Sequence, residues 1–359
     1  MRVNIPRLRE EHGAVATIVA IMLVVLLGMA ALVIDEGWLL GSRRRIVQGT
    51  DASALAAAMS CGLQEGQGSA DGVAVSYAQA NDANAVIADG YPFYDPSCDA
   101  PGGRVTVEVT SEEEQFFAPA AGRPATAQVR WRATAVWGAA TGFSGVVPFM
   151  LNAGRLSDCD IPPVEEPTGE KTCEFYLNNK DVGNAQWSTV DFENWGIQPG
   201  GSADCSATPP EMYEWISGAT PLLTLKWPEP TYVCRDTGAT PQVFTDGDKG
   251  LASLKGEVAL FPVNDAYGDS GPGHGQVDHT WALCPPSCSP RYFDIVGFAK
   301  LEIVEVWRGK DIAPTCAGFD MDTNSYCIRA KWIGYTTQPD AEPCVECENF
   351  GVIAVRLDA

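Results

Sequence analysis

Three histidines, His12, His274 and His279, are the chain's whole supply of imidazole. A serine hydrolase needs one of them beside a serine and a carboxylate. His12 precedes a long apolar run, which puts it on the cytoplasmic side or at a membrane. His274 and His279 bracket Gly275-Gln-Val-Asp278 in a Gly-rich stretch that reads as an exposed loop. Gly142-Phe-Ser144-Gly145 is no nucleophile elbow, because that turn wants glycine two residues before and two residues after its serine. Carboxylates abound, but in a chain of net charge −22 abundance marks no acid–base pair. The residues therefore predict no catalytic set and no cofactor.

Metal chemistry has two candidate sources. Asp320-Met-Asp322-Thr-Asn324-Ser325 spaces oxygen ligands like the opening of a calcium loop. Such a loop wants Gly at its sixth position and Glu at its twelfth, where this chain has Ser325 and Lys331. A surface turn between Cys316 and Cys327 is the plainer reading. The second source is cysteine: Cys284-Pro-Pro-Ser-Cys288 and Cys344-Val-Glu-Cys347, with the two histidines near the first pair, have zinc-like spacing. The two pairs lie about sixty residues apart, and a zinc site would leave the other eight of twelve cysteines without a role. No metal is expected.

Disulfides account for all twelve: Cys61, Cys98, Cys159, Cys173, Cys205, Cys234, Cys284, Cys288, Cys316, Cys327, Cys344 and Cys347. An even count at this density fits an oxidising compartment. Proximity favours Cys61 with Cys98, Cys159 with Cys173, Cys205 with Cys234, and Cys316 with Cys327. Cys284–Cys288 and Cys344–Cys347 either close on themselves or pair across to each other.

The element that would deliver these cysteines to such a compartment stands ahead of them. Val15 to Ile34 is twenty residues with no charge and only Thr17 polar. At about 1.5 Å per residue it spans roughly 30 Å, the hydrocarbon thickness of a bilayer. A cleaved signal peptide would have a shorter apolar stretch and a small-residue site after it. Here the run passes directly into Asp35-Glu36, so a retained helix is predicted. Arginines stand on both sides, Arg2, Arg7 and Arg9 before and Arg43, Arg44 and Arg45 after, and charge alone sets no orientation. The cysteines set it, with the C-terminal side outside. Residues 1–59 hold six Lys/Arg and five Asp/Glu, leaving eighteen against forty-one for the rest of the chain. That acidic part repels nucleic acid and anionic lipid headgroups. Beyond the span, Trp38, Leu39, Ile46, Leu55 and Met59 recur among alanines, and the helix is predicted to run on until Cys61-Gly62 closes it.

Residues Glu11 to Ala58 resemble the N-terminal region of TadE/TadG-like Flp pilus-assembly proteins. The resemblance is carried in order by Gly13-Ala14, the apolar span, Asp35 and Gly37, Arg43-Arg44, Ile46 to Gln48, and Asp51 to Ala58. Farther on, Arg132 to Gly138 and the Cys-rich C-terminal half look like actinobacterial members of the same group. The resemblance implies a membrane-anchored, pilin-like or pilus-associated protein whose globular part faces outward. Its partners would be other pilus-assembly or cell-surface proteins. Two departures shape the expectation. Pilins carry Glu at the fifth position after cleavage, where this chain has Ile18 if Gly13/Ala14 is the junction, which favours a retained anchor. Some TadG-like proteins carry a von Willebrand A domain with an Asp-x-Ser-x-Ser metal loop; the nearest match, Asp51-Ala-Ser53-Ala-Leu55, is helical and lacks the last serine. An anchored adhesin unrelated to pili, and a secreted-type hydrolase, are the alternative classes.

The remaining pattern is β-rich. A short helix fits residues 70–88, and Arg104–Thr110 and Thr126–Trp137 alternate as half-buried strands. Residues 159–169 are rich in Pro and acid and read as a linker. Strands are predicted at 222–227, 257–263, 292–307, 326–335 and 350–357, and a helical turn at 250–255. The stretch 292–307 exceeds a typical strand, with Gly297 as the expected bulge. The predicted fold is α+β, a long N-terminal transmembrane helix followed by a β-rich, disulfide-stapled extracytoplasmic region. Its divisions are a cytoplasmic tail (1–12), the transmembrane and juxtamembrane helix (13–62), a helix-plus-sheet domain (63–158) and a Cys-rich β-rich domain (159–359).

Overall fold

A computed structural model of the chain describes residues 12–156, 171–178, 187–196, 205–226, 228–229, 231–235, 241–264, 292–309, 313–338, 341–347 and 349–358. The architecture is α+β: one long apolar helix, then a β-rich region carrying several disulfides. Cys159, His274, His279, Cys284 and Cys288, together with the expected linker 159–169, lie outside the described residues.

Helix α1 (His12–Gly62) runs unbroken for 51 residues. Its sequence divides it into two halves with different surroundings. From Ile18 to Ile34 the side chains are apolar and almost all exposed, and mean hydropathy reaches 3.0. By length and composition this half can cross a membrane. From Ser42 onward a second pattern takes over. Ser42, Ile46, Thr50, Ser53, Ala54, Ala57, Ala58 and Cys61 are buried at intervals of three and four, one face of a helix. The polar members need no outside partner, since the Thr50 hydroxyl donates to the Ile46 carbonyl (2.6 Å) and the Ser53 hydroxyl to the Gly49 carbonyl (2.7 Å). Just past Gly62 the chain turns through positive φ at Gln64 and Gly66.

The chain divides into two compact units, each drawing on several segments. The first comprises α1 up to residue 54, residues 72–93 with most of α2 (Gln67–Asn81), and residues 106–133. The last segment holds most of strand β1 (Gly103–Glu114) and the first half of β2 (Thr126–Ala140), which are neighbours in one sheet. Both were legible as alternating runs, and both extend a few residues beyond their predicted ends. Val86–Ile87 lies antiparallel along β1, with Val86 opposite Thr110. Gly49 of α1 faces Ala78 and Asn81 of α2 at backbone range, so a Cβ at Gly49 would stand 3.0 Å from the Asn81 Cβ.

The second unit holds the last turns of α1, residues 94–105, and everything from 134 on. The second half of β2 pairs antiparallel with β10 (Val352–Leu357), from Ala135 opposite Leu357 to Ala139 opposite Ile353. Among the described residues a second sheet has seven strands, like the first: β3 (Phe149–Asn152), β4 (Thr172–Asn178), β5 (Trp187–Asp191), β6 (Thr231–Arg235), β7 (Val258–Asn264), β8 (Tyr292–Arg308) and β9 (Ser325–Trp332). Their order is β6-β5-β3-β7-β8-β9-β4, and β6 also pairs with β8. That extra pairing closes β6, β5, β3, β7 and β8 into a ring, with β9 and β4 continuing outward from β8. Only β3 and β7 are parallel among these pairs. Strand β8 stays whole over 17 residues instead of breaking. Its length is accommodated by register shifts, one opposite Val263/Asn264 beside Gly297 and one between Ile303 and Glu305. A bulge adds twist and bend, which a strand must have to serve both sides of a closed ring. Phe143, Phe149, Phe175, Phe192, Phe261, Phe298 and Trp332 fill the core.

Two short helices escaped the pattern reading. Helix α3 (Pro209–Ile216) carries Thr208-Pro-Pro-Glu211 at its start, and the Thr208 N–H donates to the Glu211 carboxylate (2.6 Å). That is a capping box with proline in the first turn, a signal present in the sequence. Helix α4 (Pro241–Thr245) is a single short turn-length element. Of the strand predicted at 222–227, the described residues form Leu223–Thr224, which pairs antiparallel with Gly142–Phe143.

Candidate functional site

Residues that the sequence reading grouped by motif come together in the first unit. Asp35 follows directly on the last residue of the apolar span. Its carboxylate accepts four backbone contacts from the β1–β2 turn. One oxygen takes the N–H of Phe116 (3.0 Å) and Phe117 (3.3 Å), and the other takes Phe117 (3.0 Å) and Ala118 (2.8 Å). The turn can present three N–H groups at once because Ala118–Ala121 is a 3-10 turn opening on Phe117, and the first N–H groups of such a turn lack internal partners. An ionised acceptor makes these bonds stronger than neutral ones.

Above Asp35, an aromatic and arginine ladder continues the contact. Trp38, three residues on, meets Phe116 edge to face with ring centroids 5.9 Å apart. The Arg45 guanidinium lies 5.8 Å from the Trp38 ring, donates to the Ser42 hydroxyl (2.7 Å) and stands 3.9 Å from the buried Glu113 carboxylate of β1. Arg43 lies over the Trp131 ring of β2 at 5.7 Å. On the strands themselves, the buried Glu108 receives Arg132 at 2.6 Å and Arg130 at 3.2 Å, and Arg132 also covers the Tyr91 ring. These contacts hold the middle of α1 against one hairpin. The hairpin's strands place the ligating groups, and the helix phase places Asp35, Trp38, Ser42 and Arg45 along one side.

Other motif residues take no part. Arg44 and Gln48 are exposed, and a Cβ at Gly37 would meet nothing within 4 Å. Gly13 and Ala14 lie in the first turn of α1. Desolvation raises the Asp51 carboxyl above its ordinary value, and Asp51 sits in the helix with Ser53, not in a metal loop. In the sequence Asp35 and Arg43 stand out as motif members and Trp38 as a helical spacing residue, whereas Arg45, Phe116, Phe117 and Glu113 emerge as contacts only in the fold. The one available signal was the pair Phe116-Phe117, uncharged and followed by Ala-Pro, between two strands.

Asp322 accepts the Asn324 N–H (2.7 Å) and the Ser325 hydroxyl (2.9 Å), the geometry of a self-closed turn. Glu174 lies beside Cys316 and Cys327, whose sulfurs are bonded to each other. Burial pushes the Glu174 carboxyl up, but the Ala317 N–H (2.9 Å) and the Arg329 guanidinium (2.6 Å) outweigh it and bring the net value below the ordinary range. Elsewhere, burial and the Asp71 carboxylate 2.8 Å away push the Tyr94 hydroxyl well above its usual range.

Among the described residues one helix is long and apolar enough to cross a membrane, and it continues into a folded β-rich region, which fits the class of membrane-anchored proteins. Residues 13–60 match the family model described as putative Flp pilus-assembly TadE/G-like. The matched segment is α1 almost from end to end, and it includes Asp35, Trp38, Arg43 and Arg45. Comparison with curated proteins and with solved structures returned no match. Helix and family match together fit a membrane-anchored pilus component.

Proposed function

We propose that the protein is a non-catalytic, single-pass component of a Flp-type pilus-assembly apparatus, with its acidic, disulfide-stapled region on the extracytoplasmic side. The observation that carries this reading is the coincidence of the family match with α1, whose first half is bare apolar surface. The disulfides support the orientation, since bonds of this kind persist where thiols are not kept reduced. The partners in this reading are other pilus-assembly or cell-surface proteins, met through the region after Gly62, and the protein works by holding that region at the bilayer.

Fractionation with protease protection tests both parts. The chain is expected to stay with membranes through an alkaline wash, and protease added to intact spheroplasts is expected to digest the region after residue 62. Survival of that region would reverse the orientation. Cross-linking in intact cells is expected to recover pilus-assembly proteins; recovery of only unrelated surface proteins would favour an anchored adhesin.

A further inference from the structure

The tip of the β1–β2 hairpin has a surface that the anchoring role leaves unexplained. Phe116 and Phe117 are adjacent, 61% and 43% exposed, and belong to the uncharged run Gln115 to Gly122. Three consecutive glutamates, Glu112 to Glu114, precede that run and Arg123 follows it. We propose that this tip is a membrane contact, with Phe116 and Phe117 resting in the headgroup layer of the bilayer that α1 crosses. The inference rests on the reading of α1 as the membrane span.

The height of the tip decides the occupant. Asp35, the first residue after the span, holds the backbone of residues 116, 117 and 118 within hydrogen-bond distance. The tip is therefore tethered where α1 leaves the hydrocarbon. The headgroup layer extends about 5–8 Å outward from that point. Trp38, in contact with the Phe116 ring, is three residues farther along, about 4.5 Å of rise. Both rings fall inside the layer where amphipathic aromatic side chains collect. Glu112 to Glu114 border the uncharged run instead of lying within it, so the contact suits zwitterionic headgroups and not anionic ones. The exposed Tyr77 of the same unit stands farther off: it is 51% exposed on α2, one turn from the Gly49 contact, and Gly49 stands roughly 21 Å along α1 from Asp35.

The test uses the full chain in phosphatidylcholine nanodiscs, with trifluoromethyl-phenylalanine placed at one position at a time: Phe117, Phe116, Tyr77 or Leu26. Fluorine relaxation is read with a headgroup spin-labelled lipid and, separately, with a water-soluble gadolinium chelate. At Phe117 and Phe116 the lipid label is expected to broaden the signal several-fold more than at Tyr77, and the chelate several-fold less. Leu26, in mid-span, is expected to be shielded from the chelate. If Leu26 is shielded while Phe117 and Phe116 respond like Tyr77, the tip stands in water and the proposal fails with the anchor intact. A tip insensitive to both agents is covered by protein, which also overturns it. If the chelate reaches Leu26, the anchor reading fails, and this inference with it.

Discussion

Asp35 shows how much one side chain can organise when its partners are backbone. A carboxylate that accepts from three successive N–H groups fixes a turn whatever side chains the turn carries. Asp35→Ala removes that acceptor. Hydrogen bonds to a charged group contribute about 1.5–3 kcal/mol each when buried. Water can replace part of this at a half-exposed site, so the expected loss is about 1–2 kcal/mol in all. The sharper readout is local: limited proteolysis should cut within residues 115–123 faster in the variant, with cleavage elsewhere unchanged. Equal cleavage of the turn in both proteins would mean that Asp35 does not hold it. The sequence showed Asp35 and Arg43 as members of a spacing pattern, but their partners lie some eighty residues downstream. No local rule links an aspartate in mid-helix to the amides of a distant hairpin turn, so the contact had to be seen in three dimensions.

Elements were more legible where their periodicity was internal. The apolar run and the alanine-rich stretch merged into one helix because nothing between residues 34 and 42 breaks it, and β1 and β2 announced themselves by alternation. What the pattern could not weigh was pairing. The stretch 292–307 exceeded a typical strand length, yet β8 is continuous because its partners on both edges satisfy it along its length. Gly49 is the clearest test of packing between elements. An alanine there gains about 1 kcal/mol of helix propensity but places its methyl 3.0 Å from the Asn81 Cβ and 3.4 Å from the Ala78 carbonyl. The two effects are of similar size, so Gly49→Ala is expected to be neutral within about 1 kcal/mol. Gly49→Ile adds bulk that helix α2 cannot yield to, and a loss of about 1–3 kcal/mol is expected from overpacking. Thermal unfolding of the two variants separates these terms; an isoleucine as stable as wild type would show that α2 moves freely.

At the scale of the molecule, covalent bonds supplement a core interrupted by long connections. Among the described residues Cys61–Cys98, Cys205–Cys234, Cys316–Cys327 and Cys344–Cys347 are bonded, and Cys173 is disulfide-bonded as well. Cys344–Cys347 closes on itself, which settles one of the alternatives left open by spacing. Their loops differ widely, with sequence separations of 37, 29, 11 and 3. In the chain-entropy account the longest contributes about 4 kcal/mol and the shortest about 2. A domain's whole margin is about 5–15 kcal/mol. Reduction should therefore lower the melting temperature steeply, and replacing Cys61 and Cys98 together by alanine should lower it more than replacing Cys344 and Cys347. The reverse order would mean that native packing around the short bridge, not loop length, sets its contribution. Neighbouring cysteines made these pairs readable in advance. The closing of a five-strand ring through β6 and β8 was not readable, since it joins residues about sixty positions apart by a register that no local signal encodes.

An unbroken helix also has mechanical consequences. Between Ile34 and Ala54, α1 is a stiff rod about 30 Å long with no flexible joint at the bilayer surface. A tether made of loop would let a pull or twist on the span dissipate before it reached the folded part. Here a rotation of the span about its own axis swings Asp35, Trp38, Arg43 and Arg45 together, and the β1–β2 hairpin clamped to them must turn as well. A torque applied to the span would reach the hairpin through this helix and these contacts.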